Sequence, residues 1–172
     1  MKKFAFMLII FLVLPISLFS KTIGFNIALY GGLDGISDLR DINSFPLRTA
    51  DSFEVDITPF AINIDRFSIG PTAAYTITRP TKPYNNVIIF GCKGYAYGID
   101  VSYRASEEVS LGAECRFGHG KYDKTSIYYA SFEGFLNARY YHSLGFIGVK
   151  AGVSYKKETL SAVCRLGVGV EF

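Results

Sequence analysis

Two histidines, three cysteines and a set of eleven charged residues set what chemistry this chain could perform. A serine nucleophile needs a base within about 3 Å. His119 is followed by Gly120, Lys121, Tyr122 and Asp123, with no serine two residues on, and His142 is followed directly by Ser143. Neither spacing sets a base against a nucleophile. Gly91-Cys92-Lys93-Gly94 matches no metal motif. An odd number of cysteines leaves at least one unpaired within the chain, and a disulfide-stapled domain would carry more of them, in an even number. Cys115 and Cys164 share outward positions on non-neighbouring strands, so they read as small apolar residues rather than a bridge. Cys92, near a loop, is the one expected to be reactive. No catalytic residue, cofactor or metal ligand is assigned, and no enzyme activity is expected.

The charged residues form a more coherent set: Glu54, Asp56, Asp100, Arg104, Glu114, Arg116, Glu133, Arg139, Lys150, Arg165 and Glu171. Six acids and five bases alternate with Gly, Ser, Thr and Asn on one side of their segments. Charge taken out of water is costly unless paired. The set therefore reads as an ion-pair interior, with Glu114 and Arg116 flanking one outward residue and Glu133 and Arg139 sharing a face. A proton or ion path is the competing use.

Positioning such a set requires strands, whose side chains alternate between faces. Period-two alternation recurs along the chain after Lys21, with no sustained helical stripe. Strands are expected at about Thr22–Tyr30, from Phe53 to Ile64, Phe67–Thr78, Tyr95–Arg104, Val109–Gly118, Tyr128–Tyr141, Ile147–Tyr155 and Ser161–Phe172. Alternation falters at Pro59–Ile64, where a bulge is expected because proline breaks a ladder. Tight turns fall at Asp65–Arg66, Ala105–Glu108 and His142–Gly145. Longer or more polar connections fall at Gly31–Ser52, Arg79–Asn86, His119–Ser126 and Lys156–Leu160. Val87–Phe90 fits either strand or loop.

Lys2 and Lys3, the apolar run Phe4–Leu14, Pro15 and a small-residue end at Ser20 have the layout of a secretory signal peptide. Cleavage after Ser20 is expected, leaving residues 21–172 as one domain. The formal charge of +3 includes Lys2 and Lys3, so the remainder is near +1, too balanced to suggest nucleic acid. No second apolar run of about 18 residues exists, so a membrane protein here must be a closed barrel.

The placement of charge separates a membrane barrel from a soluble cup. Lipocalin-type barrels put large apolar residues inside, whereas this polar set holds few, chiefly Phe135. Small residues with near-balanced charge suit a filled lumen of eight strands. Phe67, Tyr103, Tyr140 and Phe172 fall at one end of their strands. Tyr75, Tyr95 or Tyr97, Phe117, Tyr128 and Tyr155 fall at the other, giving two aromatic girdles around an apolar band. The expected fold is all-β: a closed, eight-stranded, antiparallel, up-and-down transmembrane barrel with its termini on the short-turn, periplasmic side.

In this pattern, and in the terminal strand with Leu166, Val168, Val170 and Phe172 on its apolar face, the chain resembles the small outer-membrane barrels of the OmpA/OmpX-like type. The resemblance implies outer-membrane lipid around the barrel, recognition of the Phe-ended strand by the barrel-assembly machinery, and a monomer. It implies a structural or surface-interaction role, in adhesion or envelope integrity, with a host or cell-surface ligand for the loops. Loop 1 carries Asp34, Asp38, Asp41 and Asp51 against Arg40 and Arg48; loop 2 carries Arg79 and Lys82. The alternatives are a narrow pore, a lipid A-modifying enzyme, and a soluble secreted or periplasmic barrel binding a small ligand. The resemblance extends to a deacylase type with an outward His and Ser near the outer rim. His119 has the outward position without the serine.

Overall fold

The computed structural model describes residues 23–38, 48–80, 91–122, 128–143, 145–156 and 159–172. They form eight strands: β1 Ile23–Asp38, β2 Arg48–Ile64, β3 Phe67–Pro80, β4 Cys92–Arg104, β5 Val109–Tyr122, β6 Tyr128–His142, β7 Gly145–Lys156 and β8 Thr159–Glu171. Each pairs antiparallel with the next, and β8 returns to β1 in a ladder from Asn26↔Glu171 to Asp38↔Thr159. Closure removes both sheet edges. The expected all-β, closed, eight-stranded architecture is the one observed. The signal segment 1–20, its cleavage site, Arg40, Asp41, Lys82, Val87–Phe90 and Asp123 lie outside the described residues.

The ladder breaks where proline demands it. Opposite β3 the register of β2 shifts between Ile57 and Ile62, and opposite β2 that of β1 shifts between Gly24 and Asn26. Pro59 and Phe60 both face outward, so two successive residues share one side, as in a β-bulge. The turns at one end are tight. Asp65 and Ser143 take positive φ of 53° and 56°. After β4, the Ser106 hydroxyl accepts hydrogen bonds from the Val109 amide at 3.1 Å and the Glu108 amide at 3.3 Å, the local capping for which serine competes well. This is the turn end of the barrel; the other is the loop end.

Most strands run further toward the loop end than alternation suggests, β1, β2, β4 and β5 by three residues or more. Gly31–Asp38 and Arg48–Ser52 are paired strand rather than loop, β4 begins at Cys92, and β5 continues through His119 to Tyr122. Glycine and aspartate mimic loop composition there, yet their backbone groups complete the ladder.

Inside, aromatic rings occupy space that glycines leave. Tyr30 on β1 reaches over Gly167 on β8 to Gly148 on β7, the next residue in the same cross-strand row. A Cβ at Gly148 would lie 2.8 Å from the Tyr30 hydroxyl, and one at Gly169 would lie 2.7 Å from Phe146 Cε1. Ring over glycine is a recurrent device for filling a small barrel.

Candidate functional site

The lumen is organised around Glu54. Alternation on β2 points Glu54 and Asp56 inward while Phe53 and Val55 face out. Glu54 accepts from Arg116 Nη2 on β5 at 3.0 Å, from Lys150 Nζ on β7 at 3.2 Å and from Thr76 on β3 at 3.2 Å, and pairs with Arg165 on β8. Lys150 also pairs with Asp56 and lies 2.7 Å from Glu114. Arg116 lies 3.3 Å from both Glu114 and Glu133. Arg165 reaches Asp34 at 3.4 Å and donates to Ser52 at 3.2 Å. The cations also pack on rings: Lys150 lies 4.6 Å from the Tyr30 centroid and Arg116 4.7 Å from that of Phe135. Glu54, Arg116, Lys150 and Arg165 are essentially unexposed, with charge and aromatic rings packed against one another in the middle of the barrel.

Toward the turn end, Arg139 binds Asp100 at 2.8 Å, and Asn137 donates to the same carboxylate at 3.0 Å. Beyond them opens a polar cavity of about 370 Å³, with Asn26, Ser102 and Ser110 in its wall. At its mouth Arg104 binds Glu171 at 3.0 Å, and Tyr141 donates to Glu171 at 2.8 Å.

The eleven charged residues therefore separate into three groups. Glu54, Asp56, Glu114, Glu133, Arg116, Lys150 and Arg165 form the plug. Asp100 and Arg139 form a second buried pair. Arg104 and Glu171 sit at the mouth, where they are partly exposed, rather than in the interior. Glu133 and Arg139 share a face but not a partner: Glu133 goes to Arg116 and Arg139 to Asp100.

Three further assignments change. Asp34 is buried in the lumen rather than displayed on loop 1, because β1 continues past Tyr30. Lys156, placed in the last loop by composition, points inward from β7, 6.0 Å from the Tyr129 ring. Cys92 is the first residue of β4 and is buried, not at an accessible loop. Cys115 and Cys164 are free and exposed on β5 and β8. His119 faces outward between the rings of Tyr95 and Tyr97, at centroid distances of 6.2 and 6.4 Å. No group of three or more His, Cys, Asp or Glu among the described residues could hold a metal ion.

The outer surface inverts the usual polarity. Leu136, Phe117, Leu166, Val168, Ile99 and Ile147 are exposed, while most of the charged strand residues are buried. Soluble domains rarely show so large an apolar surface. Aromatic pairs mark both ends of the belt. Phe67 and Tyr103 lie 5.0 Å apart near the turn end, where Phe25 and Phe172 lie 6.4 Å apart on β1 and β8. Tyr75 and Tyr95 lie 4.9 Å apart near the loop end, beside Phe117 and Phe132 at 5.0 Å.

No family model and no curated protein matches the sequence. Solved structures do match the fold. The crystal structure of Ail, the attachment invasion locus protein of Yersinia pestis, superposes with a TM-score of 0.61 at 16% identity, over 88% of this chain and 99% of that one. Ail in complex with the heparin analogue sucrose octasulfate gives 0.58 at 15% identity, over 88% and 99%. Neisserial surface protein A gives 0.57 at 16% identity, over 87% and 97%. The fold is thus that of the small eight-stranded outer-membrane barrels, and the charged lumen within an apolar wall has the polarity of that class.

Proposed function

We propose that this chain is an integral outer-membrane protein whose sealed lumen is structural and whose work is done at the loop end, as a surface-interaction or envelope-integrity protein without enzymatic activity. The observation that carries the reading is the inverted polarity: Arg116, Lys150 and Arg165 are enclosed while Leu136 and Phe117 stand exposed. Water would penalise both choices; lipid outside and paired charge inside favours both. Surrounding lipid and the barrel-assembly machinery are the partners this implies, with a monomer as the unit.

Ligand binding at the loop end is in keeping with the likeness to Ail, which has been solved with a sulfated sugar. Binding residues are usually carried on loops held by a rigid scaffold. A narrow pore is the reading disfavoured by the ion pairs that Arg116, Lys150 and Arg165 make with Glu54 across the lumen. His119 lies between two tyrosine rings, which suits an interfacial side chain better than a general base.

The test is to refold the chain lacking residues 1–20 in detergent and compare its migration on gels with and without boiling. A compact, heat-modifiable band that is lost from solution without detergent is expected. A chain that stays soluble and monomeric without detergent would overturn the reading. Planar-bilayer recording should show no stable large conductance.

A further inference from the structure

The polar cavity at the turn end is built differently from the ion-pair network around Glu54. Its buried charges are already answered within the protein: Arg139 and Asn137 hold Asp100, and at the mouth Arg104 and Tyr141 hold Glu171. Its neutral side chains are not. Asn26, Thr58 and Ser102 line the cavity and are only 7%, 2% and 9% exposed, yet among the described residues none of these side chains hydrogen-bonds to the protein. A buried polar group without a partner is costly. Side chains this enclosed find a partner only in what the cavity holds. Register groups them into two sets. Asn26 and Thr58 are direct partners across β1 and β2, while Asn63, Ser68 and Ser102 face one another in turn across β2, β3 and β4. The bulge at Pro59 and Phe60 separates Thr58 from Asn63 along β2, and bulges commonly re-aim side chains beside a site.

We infer that this cavity binds a small neutral saccharide, with Asn26, Thr58 and Ser102 as its hydrogen-bonding groups. A volume of about 370 Å³ falls within the range of small-molecule pockets. An amide both donates and accepts, and so does each hydroxyl. The wall therefore offers the mixed pattern that the hydroxyls of a sugar ring present in return. A charged ligand would find no spare counter-charge in the depth of the cavity, because Asp100 and Arg139 are committed to each other. An acyl chain would leave Asn26 and Ser102 unsatisfied. The outer-membrane reading puts this mouth on the periplasmic side and so makes the saccharide a periplasmic one; the site itself does not depend on that reading.

The experiment uses the chain lacking residues 1–20, refolded in a zwitterionic detergent that carries no sugar, with folding checked by heat-modifiable migration. Glucose and N-acetylglucosamine are titrated beside their charged counterparts glucuronate and glucosamine, and binding is read by saturation-transfer difference NMR. The parent should bind the neutral sugars more tightly than the charged ones. A neutral hydrogen bond contributes about fivefold. Asn26→Leu removes a donor and an acceptor together, so it should weaken binding about tenfold or more. Ser102→Ala is the smaller change, should weaken binding about fivefold, and carries the test if Asn26→Leu does not fold. Leu136→Ala, on the outer wall, should bind as the parent does. No binding of any of the four sugars would overturn the inference and leave the cavity to water. Tighter binding of glucuronate or glucosamine, or parent-like binding by the folded Asn26 and Ser102 variants, would overturn it as well. A parent that binds the neutral sugars but stays soluble without detergent would support the site while bringing down the outer-membrane reading.

Discussion

Lys150 and Glu54 meet across the lumen, Nζ to Oε1 at 3.2 Å, although β7 and β2 are not neighbours in the sheet. Backbone ladders tie each strand only to its neighbours. This contact ties opposite walls, and Arg165 and Arg116 reach the same carboxylate from β8 and β5. Because Glu54, Arg116, Lys150 and Arg165 are buried, the pairs are strongly interdependent.

Removing one partner should therefore cost more than removing opposite charges together. Lys150→Met leaves Glu54, Asp56 and Glu114 facing each other without their shared cation, and should destabilise the barrel by about 3 kcal/mol or more. Lys150→Met combined with Glu114→Gln should recover part of that loss. Urea unfolding in detergent micelles, followed by circular dichroism, measures both. Equal midpoints for parent and Lys150→Met would show that the network contributes little.

The fit of ring over glycine gives a second expectation. The atoms nearest a Cβ at Gly148 all belong to Tyr30. Gly148→Val should overpack the lumen at a cost of about 1–3 kcal/mol. Tyr30→Leu should relieve much of it, so the double variant should be more stable than the sum of the single effects allows. Strict additivity would mean that the ring is not the obstacle.

Barrel closure depends on the last residue as well as on the last strand. Phe172 exchanges two backbone hydrogen bonds of 2.9 Å with Phe25, and their rings lie 6.4 Å apart. Val168 is exposed on the apolar wall between Leu29 and Ile147. Deleting Phe172, or Val168→Lys, should lower the amount of heat-modifiable barrel recovered from outer membranes. Parent-like amounts of both variants would count against a lipid-facing, assembly-competent terminal strand.

Strand identity and facing were legible in the sequence because period two needs no tertiary information. Glu54, Lys150 and Arg165 point inward as alternation requires, and the Pro59 bulge follows from a missing donor. Strand ends were less legible. Asp34 resembled a loop residue until Arg165 supplied the partner that lets it be buried. The partners across the lumen could not be read at all. Arg139 could have bound Glu133 on its own strand, and its choice of Asp100 on β4 depends on the tilt and stagger of the closed barrel.

The central claim is that the apolar wall faces lipid, and the native Cys115 tests it most directly. It is exposed near the middle of β5, beside Ile99 and Gly134 on the neighbouring strands. With Cys92 and Cys164 replaced by alanine, a nitroxide on Cys115 can be measured in phospholipid bilayers. Relaxation by dissolved oxygen should be strong and relaxation by a water-soluble nickel chelate weak, because the label sits in hydrocarbon. Strong relaxation by the nickel chelate and weak relaxation by oxygen would place that face in water and contradict the account.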